Sequence, residues 1–256
     1  MPDHPDHTGA MVTTPQYAIA QHQGHRRRLH CDTAAVHVAA TTTSLVVTDG
    51  VGDHYDAQYA AEVAAPTAAV AAAASGSASV GLHAARGALA DLYPEGCPPD
   101  QRGDCVIVVV AWRPATLTVA WAGDARAWRL GAAGLVQLTS DHTKAAELEA
   151  AGHPAELVRS LRHIVTATAT SGEIGYHQVD LTELPRQRLL LASDGLHGYV
   201  AARDVGCILE TEELPQDAAD ALVQAALATG GHDNIAVIVA DLPRHLKVPP
   251  SDDSGR

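Results

Sequence analysis

Residues 105–111 (CVIVVVA) constrain the fold more than any other part of the sequence. A strand with one face in water alternates polar and apolar side chains, whereas this run is apolar throughout and mostly β-branched. It is therefore predicted to be a strand that is covered on both faces. The chain is 46% hydrophobic but has no Phe and only 4% aromatic residues, so Ala, Val and Leu must fill the core. Their short side chains let layers of helix and sheet approach closely.

The remaining apolar runs predict further strands and three helices. The strands are expected at residues 45–48, 116–121, 127–130, 188–192 and 235–240. The helices are expected at residues 55–74, 77–92 and 217–229, the last one ending at a Gly-Gly pair. Strands this close in sequence favour antiparallel pairing over a doubly wound parallel sheet. The prediction is an α+β fold, an antiparallel β-sandwich flanked by helices.

The length of 256 residues fits one large domain better than two small ones. We find no internal repeat and no linker long enough to divide the chain. Residues 1–14 and 243–256 are polar and proline-containing, and they are predicted to be disordered because they cannot bury enough apolar surface. The single domain is predicted to occupy residues 15–242.

Charge and composition exclude several classes of partner. A formal charge of −13 argues against nucleic acid, which needs a basic face to displace counterions. No apolar stretch approaches the roughly 20 residues that span a bilayer, and the polar, acidic N-terminus does not resemble a signal peptide. The four cysteines are far apart and form no CxxC pair, which favours a reducing compartment over a zinc site or a disulfide framework. A cytoplasmic protein is expected.

Three acidic elements lie at the ends of predicted strands: Asp49-Gly50, Asp194-Gly195 and Asp233-Asn234. Taken singly, each is more typical of a turn or a loop, because Gly adopts positive φ without steric cost. Taken together, they can converge, and a cluster of carboxylates is costly unless a cation compensates the repulsion. Oxygen ligands suit hard ions, so Mg²⁺ or Mn²⁺ is expected. The sequence has no P-loop, HExxH or GxSxG pattern to support a nucleotide, zinc-protease or serine-hydrolase function.

Five motifs, in order, resemble those of the bacterial PPM-type (type 2C) serine/threonine protein phosphatases. They are residues 47–54 (VTDGVGDH), 122–127 (AGDARA), 138–143 (LTSDHT), 193–196 (SDGL) and 230–235 (GGHDNI). Residues 24–32 (GHRRRLHCD) match the family more loosely. The resemblance covers about residues 17–241 and implies a four-layer αββα sandwich. It also implies metal-dependent hydrolysis of phosphoserine and phosphothreonine in proteins phosphorylated by a serine/threonine kinase.

The resemblance also implies a ligand set for two Mn²⁺ or Mg²⁺ ions. Asp49 would bridge both ions, and the carbonyl of Gly50 would be a further ligand. Asp194 and Asp233 would complete the protein ligands of one ion. Asp124 would belong to a third, weaker metal site.

Two further residues acquire catalytic roles from the same resemblance. Arg27 would hold the substrate phosphate, since a guanidinium binds phosphate through two parallel hydrogen bonds. Asp32 would orient water at the metal ions.

The chain departs from the family pattern at a few positions. His30 and Cys31 stand where the family has Asn-Glu, Asp53 replaces a Gly, and Gly198 stands where the family usually has Asp. Asp53 is either an extra ligand or a disturbance of its turn, and Gly198 leaves the third metal site incomplete. These departures keep two alternatives to a protein phosphatase open. One is a phosphatase-like binding or regulatory module with little or no turnover, and the other is a phosphoesterase that acts on a small molecule.

Overall fold

The computed structural model describes residues 15–98, 101–181 and 187–243. The predicted disordered tails lie outside the described residues, apart from residue 243. The strands are β1 (Gln16–His22), β2 (Asp32–Val38), β3 (Thr43–Gly50), β4 (Cys105–Arg113), β5 (Thr116–Ala122), β6 (Arg126–Gly131), β7 (Gly134–Gln137), β8 (Gly175–Asp180), β9 (Gln187–Ala192) and β10 (Ile235–Leu242). The helices are α1 (Tyr55–Ser75), α2 (Ala78–Leu92), α3 (Lys144–Ala150), α4 (Ala155–Ser160), α5 (Asp194–His197), α6 (Ala202–Thr211) and α7 (Pro215–Ala228).

The strands form two five-stranded sheets in which all pairs are antiparallel. The first sheet has the order β1-β10-β9-β6-β7 and the second has the order β2-β3-β4-β5-β8. In the first sheet, β1 near the start of the chain pairs along its whole length with β10 near the end. In the second sheet, β3 and β4 are neighbours even though α1 and α2 lie between them in sequence.

Strand β4 is covered on both faces, as its composition predicts. Val106, Val108 and Val110 face the first sheet and pack in the interior of the sandwich. Ile107 and Val109 point the other way, against α1 and α2. Strand β9 is buried in the same manner, because alternate leucines face the second sheet and the layer that contains α6 and α7. An uninterrupted apolar run is therefore needed at both positions.

Helices α1 and α2 pack on the second sheet through small side chains. The buried face of α1 consists of alanines alone: Ala57, Ala60, Ala61, Ala64, Ala65, Ala68, Ala69, Ala72 and Ala73. Gly81 of α2 lies so close to α1 that a Cβ atom there would be 2.6 Å from the carbonyl oxygen of Ala68. This layer leaves no room for large rings, and the close approach gives many weak dispersion contacts instead.

The predicted fold class is confirmed: two antiparallel sheets lie between a layer of α1 and α2 and a layer of α6 and α7. All six predicted strands and all three predicted helices are present, with ends that differ by up to about two residues. The sequence prediction missed α5, α6 and the strands β1, β2, β7 and β8, which are the four edges of the two sheets. It assigned no bounds to α3 and α4. Across the described ranges, no helix is both long and apolar enough to cross a membrane.

The close approach of α1 and α2 yields a stability test with an internal control. Gly81→Ala is expected to destabilise the protein by about 1–3 kcal/mol, because backbone atoms must move to make room for the methyl group. Gly87 lies on the exposed side of the same helix, and the Cβ atom of a Gly87→Ala variant would have no neighbouring atom within 4 Å. It is expected to stabilise by about 0.5–1 kcal/mol through helix propensity. Urea unfolding of both variants measures the difference, and equal stabilities would contradict the close packing.

Candidate metal centre

The register of the second sheet brings two carboxylates together. Asp32, the first residue of β2, is the direct cross-strand partner of Asp49, near the end of β3. Like charges in this arrangement destabilise a sheet. Asp32 is only 3% exposed, and neither of its side-chain oxygens has a hydrogen-bond partner within the described parts of the chain. Apart from the nearby Ser193 side chain, which acts to lower its pKa, Asp32 therefore lacks the protein contacts that normally compensate buried charge.

The first sheet supplies two more carboxylates at the same end of the sandwich. Asp194 follows β9 directly and begins α5, while Asp233 precedes β10, the antiparallel neighbour of β9. The two connections touch at Gly195, where a Cβ atom would be 1.9 Å from the carbonyl oxygen of Asn234. The charges of Asp194 and Asp233 raise the pKa values of both Asp32 and Asp49, which places all four carboxylates in one cluster.

The glycines after the aspartates are needed for space rather than for a turn, which corrects the sequence interpretation. Neither Gly50 nor Gly195 has a positive φ. A Cβ atom on Gly50 would be 2.6 Å from the carbonyl oxygen of Ala57 at the start of α1. Glycine at these two positions lets the backbone of neighbouring segments approach, so that each preceding aspartate lies in the cluster.

Burial and mutual repulsion raise the pKa values of the cluster. Burial is the main cause, and it raises the pKa of Asp32 to about 8, that of Asp124 to about 7 and that of Asp194 to about 6. The pKa of Asp49 lies well above its usual range, first through burial and then through the charge of Asp32. Each group would ionise more easily beside a cation.

Arg27 lies at the edge of the cluster and binds Asp233. Its Nε and one Nη each donate a 2.6 Å hydrogen bond to a different carboxylate oxygen. This contact raises the pKa of Arg27 above its already high value, and the charges of Asp49 and Asp194 act in the same direction. The predicted phosphate-binding residue and a predicted metal ligand are thus in direct contact.

Asn234 holds the loop that carries Arg27, a role that the sequence analysis missed. Its side-chain Oδ1 accepts a 2.7 Å hydrogen bond from the backbone N–H of Cys31, and its Nδ2 donates to the carbonyls of Gln23 and Leu29. Gly24 has a φ of 75° and lies against the backbone of Asp233. A Cβ atom on Gly24 would be 2.0 Å from the carbonyl oxygen of Asp233, so no side chain would fit there. The GGHDNI motif contains Asn234, but its partners lie about 200 residues away in sequence.

Asp53 contacts the same loop, which decides between the two alternatives for this residue. Its carboxylate accepts hydrogen bonds from the backbone N–H groups of Leu29 at 3.2 Å and Arg28 at 3.4 Å. Burial acts to raise the pKa of Asp53, but the hydrogen bonds from Leu29 and Arg28, together with the charge of Arg28, outweigh it, so the pKa is lowered. Asp53 therefore stabilises the loop from its far side rather than acting as a further ligand.

Asp124 lies between β5 and β6, where it is 8% exposed. Its backbone carbonyl accepts a 3.0 Å hydrogen bond from Nε2 of His197. Burial lowers the pKa of His197 to about 3, so the ring is neutral and Nε2 carries the proton. Gly198 offers no side chain beside Asp124, so the third metal site predicted from the resemblance lacks a carboxylate at this position.

The residues of the cluster fit hard divalent ions. Asp49, Asp194 and Asp233 offer carboxylate oxygens of the kind that Mg²⁺ and Mn²⁺ prefer, and Asp32 has buried oxygens without protein partners. No three His, Cys, Asp or Glu side chains in the described ranges are close enough together to enclose an ion by themselves. Bare carboxylates repel one another, so a tight arrangement requires the cation itself.

Sequence comparisons relate the chain to bacterial phosphatases. No protein-family model matches it. It is 29% identical over 147 residues to the serine/threonine phosphatase Stp of Listeria monocytogenes serovar 1/2a, which is 53% of this chain and 55% of Stp. It is 33% identical over 129 residues to the serine/threonine protein phosphatase PstP of Mycobacterium tuberculosis, which is 47% of this chain and 24% of PstP. The matched segments therefore span about half of Stp and about a quarter of PstP.

Solved structures share the whole fold. Stp1 from Staphylococcus aureus gives a TM-score of 0.77 at 22% identity, over 89% of this chain and 95% of Stp1. The PPM phosphatase MsPP from Mycobacterium smegmatis, solved with cacodylate, gives 0.72 at 28% identity, over 89% and 98%. The catalytic domain of a PstP, solved with two manganese ions, gives 0.69 at 24% identity, over 90% and 98%. The resemblance to PPM-type phosphatases predicted from the motifs is confirmed.

The raised pKa values predict how the stability of the metal-free protein depends on pH. Unfolded carboxyl groups ionise near pH 4, whereas Asp32 in the folded protein ionises near pH 8. Between these values the folded state holds more protons, so stability falls as the pH rises through this window. In the presence of a chelator, the melting temperature is expected to drop between pH 5.5 and 8.5. The drop should be roughly 2–4 °C for each kcal/mol by which the free energy of unfolding decreases.

Asp32→Asn, which cannot ionise, is expected to flatten this pH profile. Asp220→Asn, an exposed substitution on α7, serves as the control and should keep the wild-type profile. Thermal unfolding of the three proteins across the pH range measures the effect. A profile for Asp32→Asn that equals the wild-type profile would contradict the assignment of the raised pKa.

Proposed function

We propose that this chain hydrolyses phosphoserine and phosphothreonine in proteins, with the help of two Mn²⁺ or Mg²⁺ ions. The observation that carries the proposal is the convergence of Asp32, Asp49, Asp194 and Asp233 beside Arg27. The relatives named serine/threonine phosphatase and the PstP catalytic domain with two manganese ions support it. Mg²⁺ is included because oxygen ligands suit it equally.

Residues from both sheets would hold the ions. Asp49, from the second sheet, would help to hold both ions, and the Gly50 carbonyl would be a further ligand. Asp194 and Asp233, from the first sheet, would be ligands of one of them. When bound, such ions would lower the pKa of a water molecule and compensate the charge of the phosphoryl oxygens.

Arg27 would bind the substrate phosphate at the entrance to the cluster. Its two donating nitrogens form a planar fork that holds the carboxylate of Asp233 in this structure. Once Asp233 binds a metal ion, the same fork would be free to bind two oxygens of a phosphate. The loop that carries Arg27 is held at both ends by Asn234. This support limits the loss of side-chain and loop entropy when a phosphate binds.

Asp32 would orient the attacking water. Its oxygens are buried and lack protein partners within the described residues, so they can accept hydrogen bonds from water between the strands. Val51, at the exposed end of the first motif, has no proton to give. We infer that solvent protonates the leaving serine or threonine oxygen.

The proposed substrates are cytoplasmic proteins phosphorylated by a serine/threonine kinase. The four cysteines, Cys31, Cys97, Cys105 and Cys207, are all free thiols, which is typical of a reducing compartment. We retain the prediction of no nucleic-acid partner because of the charge of −13. Binding to a membrane is not part of the proposal.

A metal-dependent assay tests this function. The purified protein with Mn²⁺ is expected to hydrolyse an aryl phosphate and a phosphothreonine peptide. Asp194→Asn should lower kcat/KM on the order of 100-fold or more, because it removes a charged metal ligand from a buried site. Asp220→Asn removes an equal charge on the surface of α7 and should retain wild-type activity.

Calorimetry with Mn²⁺ separates the possible reasons for a negative result. Weaker Mn²⁺ binding by Asp194→Asn than by the Asp220→Asn control would support the ligand assignment independently of turnover. Peptide binding without phosphate release would favour the phosphatase-like binding module. Wild-type hydrolysis no faster than that of Asp194→Asn would refute the proposed phosphatase activity.

A further inference from the structure

A small lobe lies between β7 and β8, next to the carboxylate cluster. It contains α3 and α4, and we call residues 144–164 the flap. Its two ends are tied together, because the N–H of Lys144 donates to the carbonyl of Ile164 and the N–H of Thr166 donates to that of His142, both at 2.8 Å. Thr143 and Val165 form an isolated antiparallel bridge between these bonds. The flap is thus a loop with a fixed base.

A cleft of about 370 Å³ lies between the flap and the start of β6, and we call it the flap cleft. Three arginines contribute to its lining: Arg126 from β6, Arg159 from α4, and Arg162 just after α4. The acidic lining residues are Asp141 and Glu149. In a chain with a net charge of −13, a cleft with more arginines than carboxylates stands out.

The arginines of the flap cleft differ in their availability. Arg126 is engaged in a bidentate ion pair with Asp141, at 2.8 and 2.6 Å. Arg159 and Arg162 are exposed, and within the described parts of the chain neither forms an ion pair. Glu149 is also exposed, on α3. Two guanidinium groups therefore face a single unpaired carboxylate, and they remain available for an anionic ligand.

The flap cleft borders the proposed catalytic centre. Arg126 follows Asp124 by two residues, and its charge opposes the increase in the pKa of Asp124. The charge of Arg162 lowers the pKa of Asp194 in the same way, although burial outweighs it. At ordinary ionic strength salt screens exposed charges, so electrostatic effects of this kind act only over short distances. A peptide with its phosphate in the cluster would have neighbouring residues at the flap cleft.

We propose that the flap cleft binds an acidic side chain of the substrate protein close to the phosphorylated residue. This inference rests on the proposed function and names the substrate class. Arg159 and Arg162 would pair with the carboxylate, while Val158 and Ala155 of α4 would contact the methylene groups of a glutamate. Elsewhere the net negative charge of the chain repels an acidic peptide, so these arginines determine which phosphorylated segments are accepted.

Two phosphothreonine peptides test the proposal, one with alanines and one with glutamates beside the phosphothreonine. The wild-type protein is expected to prefer the acidic peptide about five-fold in kcat/KM, as one or two exposed ion pairs allow. The preference should shrink in high salt, because exposed charges are screened. The double variant Arg159→Ala/Arg162→Ala should reduce the ratio to about one. Arg159→Lys/Arg162→Lys keeps the charge and should retain most of the preference.

Arg203→Ala is the matched control. Arg203 is an exposed arginine on α6 that lines a different cavity, so this variant loses a positive charge outside the flap cleft. It should keep the wild-type preference. The proposal would be overturned if the wild-type protein showed no preference for the acidic peptide, or if the double alanine variant retained this preference. It would also be overturned if Arg203→Ala lost as much of the preference as the double alanine variant.

The aryl phosphate separates a failure of this inference from a failure of the proposed function. Hydrolysis of the aryl phosphate without any peptide preference would refute only the role of the flap cleft. Absence of all hydrolysis would refute the proposed function, and binding then decides the inference. In that case, fluorescence anisotropy with labelled peptides should give about five-fold tighter binding of the acidic peptide to the wild type than to the double alanine variant. Equal binding would overturn it.

Discussion

The repulsion between Asp32 and Asp49 is the constraint on which the rest of the site depends. Their strands are paired so that the two carboxylates face each other, and the burial of Asp32 limits the screening of this repulsion by water. A shift of one residue in this register would turn one of them toward the opposite face of the sheet. The apolar side chains of β2 and β3 oppose such a shift, since they alternate between two different layers of the core. The free energy of core packing therefore keeps the charges together.

The loop of residues 23–31 is held mainly through its backbone. Asn234 and Asp53 bind main-chain groups of the loop, and a side-chain contact is made by Arg27 to Asp233. The loop can therefore keep its position when its side chains change. His30 and Cys31, which differ from the family pattern, are accommodated for this reason: Cys31 contributes its N–H, and the His30 ring contacts the carbonyl of Asp32 at 2.9 Å.

The sequence was informative where local chemistry determines structure. A strand such as β4 needs an apolar residue at every position, so it could be predicted without knowing its neighbours. Strands β1, β2 and β8 lie at sheet edges and carry polar residues, so their sequences resemble those of loops. The roles of Gly50, Gly195 and Asn234 depend on backbone segments that are distant in sequence. Local periodicity contains no information about such contacts. The ordered motifs include these three positions but do not give the physical reason for them.

The pairing of β1 with β10 has a consequence for biosynthesis. Asp233 and Asn234 immediately precede β10, whereas the loop they contact is synthesised about 200 residues earlier. The first half of the chain must wait for the second before the centre can assemble, and during that time the edge of β9 lacks its partner. A nascent chain that stops before residue 233 lacks Asp233 and Asn234, and therefore lacks both a carboxylate of the cluster and the side chain that holds the loop.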